Sequence, residues 1–181
     1  MAHDILIIGS GATGLTAALC IAAAAFSAEP TKLDELLSFS NPARCEASKT
    51  QEAFLRSMWS SDDDGNVVAR VPEAPGSKMG DFGIGKVSRS GGWQSLDLPV
   101  SGIWHGLNLV AIRQSFPEGG DPPSISLAFR DPALRVAQTA KSIGFPSSGT
   151  QIEDDDGYSV EFSIEQDPDR PDLTLLTCGW G

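Results

Sequence analysis

Hydrophobic and polar positions divide the chain into three unlike stretches. Residues 5–26 carry no charged side chain at all. From Thr31 to about Ser60, Leu33, Leu36 and Leu37, then Phe54, Leu55, Met58 and Trp59, recur at the three- and four-residue spacing of one helix face. Thr31 and Asp34 have the spacing of a capping box, and Asn41-Pro42 divides this stretch into two predicted helices. After Ser61-Asp62-Asp63-Asp64-Gly65 the period changes to two, the mark of strands. Residues 67–71 read as a short strand ended by Pro72, and residues 73–92 as a loop rich in Pro, Gly and Ser with a short strand at 84–88. Residues 93–98 and 103–116 read as strands, the second bending near Gly106.

The last third is the most regular. Residues 117–123 form a Pro- and Gly-rich turn, after which Ile125, Leu127 and Phe129 alternate on the core side of a strand. Asp131-Pro132 predicts a helix start, with a carboxylate at the N-cap and Pro at the first helical position. Leu134, Val136, Ala137, Ala140 and Ile143 would form its buried side, and Gly144 its end. Residues 158–165 alternate again, and Asp167 to Asp172 turn the chain toward a final strand at 173–178. The predicted class is α+β: N-terminal helices, then a mostly antiparallel sheet with a β-β-α-β-β second half, forming one domain over residues 28–181.

The uncharged opening admits three readings. Gly9-Ser10-Gly11-Ala12-Thr13-Gly14 is a GxGxxG fingerprint between an apolar Ile5-Leu6-Ile7-Ile8 and an Ala-rich stretch. The segment from Asp4 to Leu19 resembles the N-terminus of FAD-dependent oxidoreductases such as succinate dehydrogenase flavoproteins and amine oxidases. That resemblance implies an FAD- or NAD-dependent oxidoreductase with its cofactor at Gly9, Gly11 and Gly14. The fingerprint also requires a second buried strand ending in an acidic residue about 20 residues on. Asp34 and Glu35 stand near that distance, but Glu29-Pro30-Thr31-Lys32 before them lacks a β-branched run.

The second reading is an export leader, a signal peptide over residues 1–27. Leu15 to Phe26 is compact and apolar, and Ala25-Phe26-Ser27 places small residues at −3 and −1 of a cut before Ala28. The third is an uncleaved anchor, since a run of this length reaches across the roughly 30 Å of a bilayer core. The favoured reading is the leader, with membrane contact only if it is retained. Cleavage removes Cys20 and leaves Cys45 and Cys178, the even pair expected to form one disulfide in an exported chain.

Charge and side-chain chemistry narrow the function. With 13 Lys+Arg against 24 Asp+Glu the formal net charge is −11, which argues against a nucleic-acid partner and for a basic protein. Gly80-Asp81-Phe82-Gly83-Ile84-Gly85-Lys86 has P-loop spacing, but Val87 stands where Ser or Thr would hold magnesium. Asp62, Asp64, Asn66 and Glu73 fit positions of a calcium loop, yet Val67 occupies its obligatory glycine; that cluster and Glu153–Gly157 read better as turns. Beyond the leader His105 is the single histidine, too little for a zinc site, and no nucleophile motif accompanies it. Trp93, Trp104, Trp180 and Tyr158 read as core aromatics. No catalytic, metal or cofactor residues are assigned. The expected function is that of an exported, acidic binding or interaction protein, of the inhibitor or immunity type, acting on a basic partner. An oxidoreductase and a membrane-anchored structural protein of the envelope are the alternatives.

Overall fold

A computed structural model describes residues 31–72, 82–117, 124–153 and 159–180. The stretch read as a leader, the glycine fingerprint, Gly80, Asp81 and Tyr158 lie outside them. The described chain is built mainly of strands: β1 Thr31–Lys32, β2 Phe39–Asn41, β3 Glu46–Ala47, β4 Trp59–Ser61, β5 Val67–Ala69, β6 Lys86–Ser90, β7 Trp93–Trp104, β8 Leu107–Pro117, β9 Ser124–Phe129, β10 Thr150–Glu153, β11 Ser159–Gln166 and β12 Thr174–Trp180. Among the described residues there are two α-helices, α1 Lys49–Ser57 and α2 Ala133–Ser142, and one 3-10 turn at Pro42–Arg44.

The expected α+β class with N-terminal helices is therefore corrected to a mostly β fold. Thr31 starts a strand rather than a helix, and Asp34 caps nothing; its carboxylate accepts from the backbone N–H of His105. The leucines at helical spacing belong to a single turn, closed by a bond from the Leu37 N–H to the Leu33 carbonyl (2.9 Å), which buries Leu33 and Leu37 and stops. Pro42 opens the 3-10 turn instead of separating two helices. Only the second half of the stretch is helical: Ser48 caps α1 by accepting from the Gln51 N–H at 3.2 Å.

The main sheet runs β1-β7-β8-β9-β12-β11-β10, and β6 shares the β7 edge with β1. Every pairing is antiparallel except the two-residue β1–β7 contact. β7 and β8 form a long hairpin whose two loop residues are His105 (φ 46°) and Gly106 (φ 80°). Two successive positive φ values mark a type I′ turn, which suits the twist of the flanking strands. The predicted continuous strand through Gly106 is therefore two strands. After β9 the chain crosses by α2 to the far edge and returns as β10, β11 and β12, so the last strand lies beside β9.

One face of this sheet holds the core. Leu96, Leu98, Ile112, Leu127, Phe129, Phe162 and Leu176 point to it, and Val136 and Ala140 of α2 and Leu33, Leu37, Phe54 and Met58 of the N-terminal layer cover it. Trp104 is fully buried among them and donates its indole N–H to the Leu37 carbonyl at 2.9 Å. Leu134, expected on the buried side of α2, is 72% exposed. Asp131 does not cap that helix. Its buried carboxylate accepts from the Asn108 N–H (2.6 Å) and pairs with Arg135 (2.9 Å), so it fastens the start of α2 to the hairpin.

A disulfide joins Cys45, just after the 3-10 turn, to Cys178 in β12 across a sequence separation of 133. Both cysteines are fully buried. It fastens the N-terminal layer to a central strand of the sheet.

Candidate functional site

The N-terminal layer does not cover the whole core face. Between α1 and the ends of β8, β9 and β12 it leaves a cleft of about 870 Å³. Such a volume lies within the range of small-molecule sites, roughly 300–1,000 Å³. Its floor is the sheet: Gln114 and Phe116 on β8, Ser124 and Ile125 on β9 and Trp180 on β12. Its wall is α1 with the start of β4. Glu52, Leu55 and Arg56 recur at i, i+3 and i+4 on one stripe of α1 toward the cleft, and Trp59, the first residue of β4, continues the wall. Ser40, Glu46 and Ala47 of the β2–β3 hairpin, with Cys45 of the disulfide, close the third side.

The walls are apolar and aromatic, and the charges stand at the mouth. Trp59 packs edge-on against Phe116 with ring centroids 4.7 Å apart. Glu52 and Arg56 are exposed on α1, and Glu46 pairs with Arg44 at 3.4 Å.

Two residues of the lining, Gln114 and Trp59, carry polar atoms that are sealed from solvent and lack partners. Gln114 is 6% exposed and its side-chain Oε1 is buried without a hydrogen bond. The indole Nε1 of Trp59 is also buried and unpartnered. Leaving a buried donor or acceptor unmade costs about 1–3 kcal/mol, so such groups call for an explanation. The contrast with Gln94 is direct. It lies on the core-facing side of the same hairpin, and its Oε1 accepts from the Val67 N–H at 2.8 Å and from Arg89 Nε at 3.4 Å.

No protein-family model, curated protein or solved structure matches the chain. The cleft is therefore judged by its own chemistry. Its lining is mainly apolar, with Ser40, Glu46, Glu52, Arg56, Gln114 and Ser124 as its polar members, and none of these is placed next to a histidine.

Of the residues singled out in the sequence, Cys45 and Trp180 line the cleft; Trp93, expected in the core, is exposed, and the others that the structure describes fall elsewhere. His105 is an exposed hairpin residue whose ring packs on Trp104 at 4.7 Å. Phe82 bridges to Val100, and the Gly83 N–H bonds to the Pro99 carbonyl at 2.8 Å. A Cβ on Gly85 would lie 2.9 Å from the Leu96 side chain, so this glycine serves close packing against β7. Asp62 closes a turn on itself, accepting from the N–H groups of Asp64 (3.0 Å) and Asn66 (2.8 Å). The Asn66 side chain above all, with its backbone N–H, holds the Asp62 carboxyl below its ordinary pKa. Among the described residues no group of three or more His, Cys, Asp or Glu could hold a metal ion, and no helix is long and apolar enough to cross a membrane.

The sequence reading placed Leu55 and Trp59 on a buried helix face and Trp180 in the core, and it passed over Gln114. A signal for it exists. Leu107, Leu109, Ile112, Gln114 and Phe116 line the core side of β8, and Gln114 is the polar exception among them. The bulge in β8 between Leu109 and Ala111 shifts the alternation by one residue and hides that exception.

Proposed function

We propose that this chain is an exported binding protein that acts by holding a ligand in the cleft rather than by catalysis. The observation that carries this is Gln114, a nearly fully buried amide whose oxygen has no partner in the protein and which lines an apolar cleft. The disulfide supports the exported half of the reading, because such bonds persist in oxidising compartments. Periplasmic and extracellular locations fit equally, and the leader over residues 1–27 supplies the route.

Two measurements test this. The intact mass after expression in a Gram-negative host should begin at Ala28, with no thiol labelled until reduction; retention of Met1 with free thiols removes the exported reading. Titration with the uncharged fluorophore N-phenyl-1-naphthylamine should show one saturable site, lost when Ser124→Phe fills the cleft. Unsaturable binding, or binding that Ser124→Phe leaves intact, removes the cleft as the site.

A second reading, an inhibitor or immunity-type protein for a basic partner, is favoured by the formal net charge of −11 and by the exposed Asp62, Asp63 and Asp64 at the β4–β5 turn. An acidic surface steers encounter with a basic protein and is screened by salt. Capture of a basic protein from envelope extract at low salt, released by 0.5 M salt (roughly 4 Å of screening length), would support it. Recovery of none would remove it.

A further inference from the structure

We infer that a second pocket, on the face of the sheet opposite the core, binds a small zwitterion with an aliphatic body, such as a branched amino acid. It shares no residue with the cleft and does not rest on the reading of the cleft. Its volume is about 580 Å³, within the range of small-molecule sites. One side is the β7–β8 hairpin, the other is the β11–β12 connection, and Arg130 stands just past the end of β9. Both breaks in register along the hairpin fall here, between Pro99 and Gly102 in β7 and between Leu109 and Ala111 in β8. A bulge takes a residue out of the ladder and bends its strand. Ser101 and Val110, the residues so displaced, line the pocket.

The uncommitted charges of the lining set the ligand class. Arg130 and Asp172 are both exposed to solvent and both line the pocket, so an occupant reaches them. Among the described residues neither side chain has an ion-pair or hydrogen-bond partner, and the two do not pair with each other. Arg170, the third charged residue of the lining, already stands 3.6 Å from Asp97 and from Asp167. One open guanidinium and one open carboxylate therefore share the pocket. A plain anion would meet Asp172 and a formal net charge of −11, and a plain cation would meet Arg130. A zwitterion of zero net charge answers both, its carboxylate on the Arg130 fork and its ammonium on Asp172. Ile103, Val110 and Leu173 supply the apolar surface for its body. The wall that carries Asp172 is held in place: the Leu173 N–H bonds to the Arg170 carbonyl at 2.9 Å, and Gln166 Nε2 donates to the Pro171 carbonyl. A wall already ordered costs little to bind against.

The test follows the backbone amides of Ser101, Val110 and Leu173 in the nitrogen-15-labelled full chain at neutral pH. Three probes share one aliphatic body: L-leucine, isocaproate (the carboxylate without the amine) and isoamylamine (the amine without the carboxylate). L-leucine should shift these amides saturably and bind about tenfold tighter than either companion, since one molecule makes both charged contacts at once. Arg130→Gln should reduce L-leucine to the level of isoamylamine, and Asp172→Asn should reduce it to the level of isocaproate. Both side chains are exposed and unpaired, so neither substitution removes a contact that holds the fold. Equal binding of the three probes, or indifference of L-leucine to both substitutions, would overturn the zwitterion class. No saturable shift of these amides by any probe below about 10 mM would overturn the pocket as a site. Neither result touches the cleft, whose own test is the binding of N-phenyl-1-naphthylamine.

Discussion

Three buried glutamines separate structural from binding roles at the scale of one residue. Gln94 is satisfied: Val67 and Arg89 both donate to it. Gln114 is unsatisfied and lines a cleft. Gln51, on α1, is fully buried with neither amide atom partnered, yet it is not among the residues that line the cleft. Only Gln114 belongs to the cleft lining; the unmet atoms of Gln51 lie inside the core. Replacing Gln51 by Met, a side chain of similar shape without polar atoms, should therefore raise stability by about 1–2 kcal/mol. Urea unfolding of Gln51→Met beside the parent measures it directly. A loss of stability instead would show that the Gln51 amide makes bonds in solution. Gln114→Met removes the same kind of unmet group and should likewise stabilise the free protein, but it should weaken ligand binding, which Gln51→Met should leave unchanged. The pair of substitutions thus tells an orphan group retained for binding from one that is only tolerated.

At the scale of elements, the face of the sheet opposite the core is organised by charge. Arg113 on β8 reaches Asp97 on β7 at 2.9 Å and the fully buried Asp167, just after β11, at 2.8 Å; Arg170 stands 3.6 Å from both carboxylates. This network holds the β11–β12 connection over the sheet, where Leu173 packs with Leu175, Ala111 and Ala128. Burial raises the Asp167 pKa, but the hydrogen bond from Arg113, the backbone N–H groups of Asp169 and Arg170 and the charge of Arg113 outweigh it, and the net shift is downward. For Arg113, burial opposes the charge and the bonds to Asp167 and Asp97 outweigh it, so its pKa rises. A carboxylate with a lowered folded pKa contributes stability above its unfolded pKa of about 3.9 and loses it as pH falls through the folded value. Asp167→Asn should accordingly cost about 1–3 kcal/mol at pH 7, because it removes one of the two carboxylates bonded to Arg113 and leaves Asp97 alone to face Arg113 and Arg170. That deficit should shrink below about pH 4 as the parent loses the same charge, and denaturation midpoints from pH 7 to 2 follow it; a deficit independent of pH would place the cost in packing instead. How far the sequence disclosed these elements depends on how local their causes are. β9 and β11 were legible because strict alternation needs no partner, as Ile125, Leu127 and Phe129 or Val160 and Phe162 show. The His105-Gly106 hairpin was not, because the left-handed conformation of His105 is held by a distant carboxylate, Asp34. The N-terminal leucines carried a helical spacing that is real for one turn, and tertiary contacts with β7 end it. The cleft was least legible, since α1, β8, β9 and β12 meet only in the folded chain.

At the scale of the molecule, the layer that makes the cleft is attached to the sheet through few secondary-structure bonds. The β2–β3 and β4–β5 hairpins are separate two-stranded sheets, and β1 contributes two residues to the main one. What fastens this layer is burial of Leu33, Leu37, Phe54 and Met58 together with the Cys45–Cys178 bond. A cross-link over a separation of 133 residues removes chain entropy worth about 5 kcal/mol from the unfolded state in the loop-closure account. Whole domains are stable by about 5–15 kcal/mol, so the bond decides how firmly the chain folds. The double substitution Cys45→Ala/Cys178→Ala should lower the unfolding free energy by about 3–5 kcal/mol, measured by guanidinium denaturation with the oxidised parent alongside. Its effect on the cleft should exceed its effect on the sheet. Cys45 lines the cleft, and the hairpin that carries Glu46 and Ala47 begins beside it. Amide hydrogen exchange should therefore quicken first in residues 31–61 and leave β8, β9 and β12 protected, and affinity for N-phenyl-1-naphthylamine should fall in parallel. Uniform loss of protection would mean that the layer and the sheet unfold as one unit. If the layer opens first, reduction empties the cleft before the domain melts, and binding is confined to compartments oxidising enough to keep Cys45 and Cys178 joined.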